Sequence, residues 1–166
     1  MPWTTPETFT AGQTLTAASM NIISGDLSYL YDELPRGYVA ASKKTANQGS
    51  ISTEVDITDL SVTVPMISGR IYKTTVHMDV FTSNSDTVLV GKLTDGSNVQ
   101  LQRTTCRPAV ANTGQTLQLV YYETAASTAS VTRKIRVYRA AGTGTITVQG
   151  AALEPTLILV EDIGAA

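Results

Sequence analysis

From residue 72 to residue 80 the chain alternates without a break: Tyr72, Thr74, Val76, Met78 and Val80 against Lys73, Thr75, His77 and Asp79. A period of two fits only an extended strand with one face in a core and the other toward water. The same rhythm recurs along most of the chain. Val55 and Ile57 share one face, and Val62 and Val64 follow. Val88 with Val90, Val99 with Leu101, Leu117 with Leu119 and Tyr121, Ile135 with Val137, Ile146 with Val148, and Leu157 with Leu159 continue it. Clusters that favour turns divide these runs, among them Asn47-Gln48-Gly49-Ser50, Ser83-Asn84-Ser85-Asp86, Asp95-Gly96-Ser97-Asn98 and Gly142-Thr143-Gly144. Many short strands with one apolar face, and no second helical run to make a βαβ crossover, predict a mainly β protein. The expected fold is a single β-sandwich of jelly-roll type with about eight to ten strands over residues 38–166. Thr is the commonest residue, and its branched Cβ suits a pleated strand.

One helix is expected before the strands. Thr16 is a good N-cap, and Met20, Ile23, Leu27, Leu30 and Leu34 follow at steps of three and four. Pro35 and Gly37 stop it. Gly25 weakens it by about 1 kcal/mol relative to Ala. Two heptads are too few for a stable isolated coiled coil, so self-association would need help from the β-domain. Residues 1–15 read as an irregular arm, with Pro2 and Pro6 opposing an early helix and Trp3 and Phe9 as its large hydrophobes. Residues 1–37 therefore form an expected anchoring or oligomerisation unit, with Trp3, Phe9, Met20, Ile23, Leu27, Leu30 and Leu34 as interface residues. Two alternatives stand for these side chains: packing on the chain's own β-domain, or contact with a neighbouring subunit.

Composition excludes several functions. Charged residues make up 16% of the 166 residues and the net charge is −2, so no field gathers nucleic acid. One Cys and one His cannot supply a zinc ligand set or a disulfide. No apolar run approaches a membrane span, and no secretory leader opens the chain. No cofactor is expected. His77 falls on the polar side of its strand, Cys106 reads as a small hydrophobe, and Asp95-Gly96 reads as hairpin chemistry rather than a calcium loop. Glu161 and Asp162 are adjacent, which is poor spacing for a catalytic pair. Arg133, Lys134, Arg136 and Arg139 do not form one stripe: Lys134 and Arg136 lie opposite the parity of Ile135 and Val137. They fit a solvated strand or an ionic contact with an acidic capsid surface. Tyr121, Tyr122 and Tyr138 would offer a glycan platform if clustered, and would otherwise pack the sheets. The chain is expected not to be an enzyme.

The segment from Trp3 through Asn21, with its Thr-Pro, aromatic, Gly and Leu-Thr-Ala, resembles the opening of small structural proteins of tailed bacteriophages. Asp26-Leu27-Ser28-Tyr29-Leu30 is similar to the short helix that follows there. Gly69-Arg70-Ile71-Tyr72 resembles the start of one of their central strands, and Pro155 through Gly164 resembles their last strand, except that Ala165-Ala166 stands where a Pro is usual. The resemblance implies a virion protein assembled in the host cytoplasm, partnered by capsid or tail proteins. The helix seam favours a homotrimer. Head decoration or a minor capsid role is slightly preferred on the chain's small size and lack of stalk repeats. The alternative is a minor tail or tail-fibre protein whose β-domain binds a host-surface glycan or protein.

Overall fold

A computed structural model describes residues 11–14, 16–150 and 156–166. Among these, one helix precedes ten strands: α1 (Ala17–Glu33), β1 (Gly37–Lys43), β2 (Gln48–Ile51), β3 (Val55–Met66), β4 (Arg70–Thr82), β5 (Val88–Asp95), β6 (Gln100–Cys106), β7 (Gln115–Thr124), β8 (Ala129–Ala141), β9 (Ile146–Val148) and β10 (Leu157–Ala165). They form two antiparallel sheets, one of six strands and one of four. Strand β4 organises the larger. Its one edge pairs with β7, and its other edge pairs with β10 over residues 70–77 and with β9 over residues 80–82. Strand β1 then flanks β10, and β2 flanks β9. The smaller sheet runs β3-β8-β5-β6.

With the short β2 and β9 set aside, the larger sheet runs first, last, third, sixth of the eight remaining strands. The smaller runs second, seventh, fourth, fifth. That is the strand order of a jelly roll, two interleaved Greek keys. The chain is a jelly-roll β-sandwich. The geometry follows from the alternation. Every second residue of β4 from Arg70 to Thr82 is buried, as the sequence required. Val76, Met78 and Val80 from the larger sheet meet Leu89, Leu93, Ile135 and Val137 from the smaller in a sealed core. Each such side chain contributes roughly 1.5–3 kcal/mol over exposure. At Gly91 a Cβ would sit 2.9 Å from the Met78 methyl, so a larger residue there requires the end of that side chain to shift.

Several strand limits differ from the sequence reading. Val55-Ile57 and Val62-Val64 belong to one strand, because a register shift between Asp56 and Ser61 changes its parity. Asp59 has a positive φ of 67° inside this bulge, and Leu60 takes over the inward position after Ile57. The Asn47–Ser50 turn contains the start of β2. Val99 lies in the β5–β6 turn and is exposed.

Thr16 caps α1, its Oγ1 accepting from the Ser19 amide at 3.1 Å. The helix ends at Glu33, and Leu34 and Pro35 lead in extended form to β1.

Candidate functional site

The residues that the sequence marks for assembly lie on α1. Met20 is 58% exposed, Leu27 62% and Leu34 52%; Ile23 is exposed as well, and Leu30 is half-buried. Among the described residues the seam therefore stays open along most of its length, instead of packing on the β-domain. Tyr31 is exposed beside it, with the Arg36 guanidinium 4.2 Å above its ring. Trp3 and Phe9 lie outside the described residues.

The helix is nevertheless fixed to the sandwich at its C-terminal end. Arg70 and Asp162 are 3% and 2% exposed and pair in fork geometry, Nε to Oδ2 at 2.6 Å and Nη2 to Oδ1 at 2.8 Å. The same guanidinium donates from Nη1 to the Asp32 carbonyl and from Nη2 to the Leu34 carbonyl at 2.6 Å. These are among the oxygens a helix terminus leaves without partners, and a cation there also opposes the negative end of the helix dipole. Asp162 Oδ1 further accepts from the Gly164 amide at 3.0 Å. Hydrogen bonding to Asp162 holds the Arg70 pKa above its usual value. One buried ion pair thus joins helix, β4 and β10. Arg70 and Asp162 are 92 positions apart, and no sequence pattern links them.

The two outer faces of the sandwich differ. On the smaller sheet, Glu54 and Asp56 meet Lys92, Lys134 and Arg136 in a network: Lys92–Glu54 at 3.1 Å, Arg136–Glu54 at 2.6 Å, Lys134–Asp56 at 2.9 Å and Arg136–Asp56 at 2.7 Å. The Lys134 hydrogen bond is the main reason the Asp56 carboxyl titrates below its usual range. The basic run of β8 is consumed within the chain. Arg133 turns inward and pairs with Glu123 of the opposite sheet at 2.5 Å, and Arg139 donates to the Gly144 carbonyl at 2.7 Å. The outer face of the larger sheet carries Leu157, Leu159, Val120 and Tyr122, with the Lys73–Glu161 pair at 3.2 Å.

Other sequence candidates fall apart as sites. Tyr121 packs against the core, Tyr122 points outward from the larger sheet, and Tyr138 lies on the smaller sheet under Lys92 at 4.7 Å. They form no shared platform, because adjacent strand positions face opposite ways and the sheets face apart. Glu161 and Asp162 are divided by the same rule, one outward with Lys73 and one buried with Arg70. Asp95 spends its carboxylate on the backbone amides of Ser97 and Val99, each at 2.8 Å. His77 lies on the outer face, 3.8 Å from Asp79. Cys106 packs at the core margin, where burial raises its thiol pKa. Among the described residues no group of three or more metal-ligating side chains converges, and no helix is long and apolar enough to cross a membrane.

One concavity of about 510 Å³ opens beside the clasp, lined by Arg36, Tyr38, Met66, Ile67, Tyr72 and Ser130 among others. The Tyr72 hydroxyl on its wall accepts from the Ile67 amide at 2.9 Å. Sequence reasoning missed this cleft, since its walls come from β1, β3, β4 and β8.

No protein-family model matches the chain, and no curated protein sequence matches it. Solved structures with a similar course include the Eiger TNF from S. frugiperda, 11% identical at a TM-score of 0.45, covering 79% of this chain and 96% of that one. The infectious bursal disease virus Gx strain structure is 15% identical at 0.43, covering 81% of this chain and 37% of that one. A carbohydrate-binding module from Cellvibrio mixtus lichenase 5A, solved with cellotriose, is 15% identical at 0.36, covering 75% and 97%. The jelly-roll assignment rests on the strand order and register above.

Proposed function

We propose that this chain is a non-enzymatic structural protein of a tailed-bacteriophage particle, a homotrimer held by its N-terminal arm and helix with the jelly roll outward, as head decoration or a minor capsid protein. The observation that carries the reading is the open apolar seam of α1 on a helix bolted to the sandwich by Arg70. A bare stripe of Met20, Ile23, Leu27 and Leu34 costs solvation unless another helix or virion surface covers it. The internally neutralised β8 argues against ionic attachment through that strand.

The test is incorporation of Ile23→Asp/Leu27→Asp into particles. Both side chains are exposed, so the domain should fold. Loss of the protein from purified virions is expected; undiminished incorporation overturns the anchor.

A tail-fibre reading, with the β-domain binding a host glycan, draws on one feature: the cleft with Tyr38 and Arg36 at its wall. Cell binding abolished by Tyr38→Ala, with particle incorporation intact, would favour it over decoration.

A further inference from the structure

We propose that the outer face of the larger sheet is the β-domain's contact with a second copy of this chain, completing the interface that the helix seam begins. The inference rests on the trimer reading above and names the surface that reading leaves open. Register lines up the face in rows. Ala41, Leu159, Thr75 and Val120 stand side by side across β1, β10, β4 and β7, and Tyr38, Glu161, Lys73 and Tyr122 form the next outward row. Val120 is 39% exposed and Tyr122 57%. The charges of that second row are paired with each other, Lys73 to Glu161 at 3.2 Å, so the row brings no net charge to a contact with a second copy. The opposite face carries the ionic network instead.

Size argues for using sheet and helix together. Nine-residue β10 sets a length of ~30 Å, and four strands give a width of ~19 Å, or ~570 Å² of sheet. The 17-residue helix offers a stripe ~25 Å long and ~10 Å wide. Neither alone reaches the roughly 800 Å² per partner of a standard interface, and the two combined do. They are also contiguous. The Glu33 carbonyl lies 3.1 Å from the position a Cβ on Gly164 would take, next to exposed Ile163 on β10. A clasped helix moves with its sheet, and an a/d seam is best matched by another copy of itself.

The full-length chain is followed by sedimentation over a wide concentration range, alongside Val120→Lys, Leu27→Asp and, on the other face, Thr63→Lys. Val120→Lys is expected to move trimer dissociation to at least about tenfold higher concentration with its β-structure unchanged, and Thr63→Lys to leave it in place. A Val120→Lys trimer as tight as wild type, with Leu27→Asp dissociated, overturns the sheet contact and leaves the helix reading standing. A wild-type chain that is monomeric throughout overturns both. Should Val120→Lys not fold, Tyr122→Glu at the more exposed position takes the same reading.

Discussion

Arg70 shows how much one side chain decides. Its guanidinium neutralises a carboxylate that is itself buried, and its remaining donors close the end of a helix. Arginine's planar fork suits this, since a lysine ammonium would serve one direction at a time. The buried pair is costly to desolvate, so its value lies in specifying where α1 leaves the sandwich. Breaking it is another matter. Arg70→Ala leaves Asp162 buried without a counter-charge and should cost about 3–5 kcal/mol. Urea unfolding of the isolated protein reads that loss, and hydrogen exchange should show α1 amides freed more than those of β5. An unchanged urea midpoint would mean that the pair does not organise the junction.

At the scale of elements, β3 and β8 carry the outer network of the smaller sheet, and this predicts a pH response. The Asp56 carboxyl is held low, first by its hydrogen bond from Lys134 and then, against the opposing cost of burial, by Arg136. A carboxylate whose folded pKa is depressed binds fewer protons when folded than when unfolded. Its contribution is complete above the unfolded value of about 3.9 and disappears as pH falls through the lower folded value. The group is half exposed, 52% by side chain, so solvent screens the pair and the effect is small. Asp56→Asn should lower the thermal midpoint slightly above about pH 4 and bring it level with wild type at lower pH, which flattens the acid limb of a plot of midpoint against pH. The same strand shows where local reading stops. Alternation placed Val62 and Val64 inward, while the parity change at Asp59 depends on how β3 meets β8.

For the whole molecule, the jelly-roll order places the last strand between the first and the third of the long ones, β10 between β1 and β4. Folding therefore waits on pairings between distant parts of the chain, whose loop-closure entropy makes such topologies slow. Removing residues 157–166 would strip β1 of its partner, uncover Val76 and Tyr72, and orphan Arg70. That truncation should lose its near-ultraviolet circular dichroism and bind a hydrophobic dye, whereas trimming only Ala166 should do neither. A cooperative unfolding transition in the truncated chain would show that β10 is dispensable.

The amino-acid order alone determined the local choices: a strand wherever apolar residues recur every second position, a helix where they recur every third and fourth, and turns at the Gly, Asn and Asp clusters. These are settled by backbone periodicity and by the burial of one face, so β4 and α1 were legible, as was the outward His77. The solvated strand expected of Arg133 was not what formed, since it is buried against Glu123 of the opposite sheet. The open seam was legible as a stripe, but whether the β-domain covered it was not. Strand order, the β3 bulge, the Arg70–Asp162 clasp, the cleft beside it and the dispersal of Tyr121, Tyr122 and Tyr138 were decided only in three dimensions. Each joins residues far apart in the chain, and periodicity says which way a side chain faces without saying what it will face.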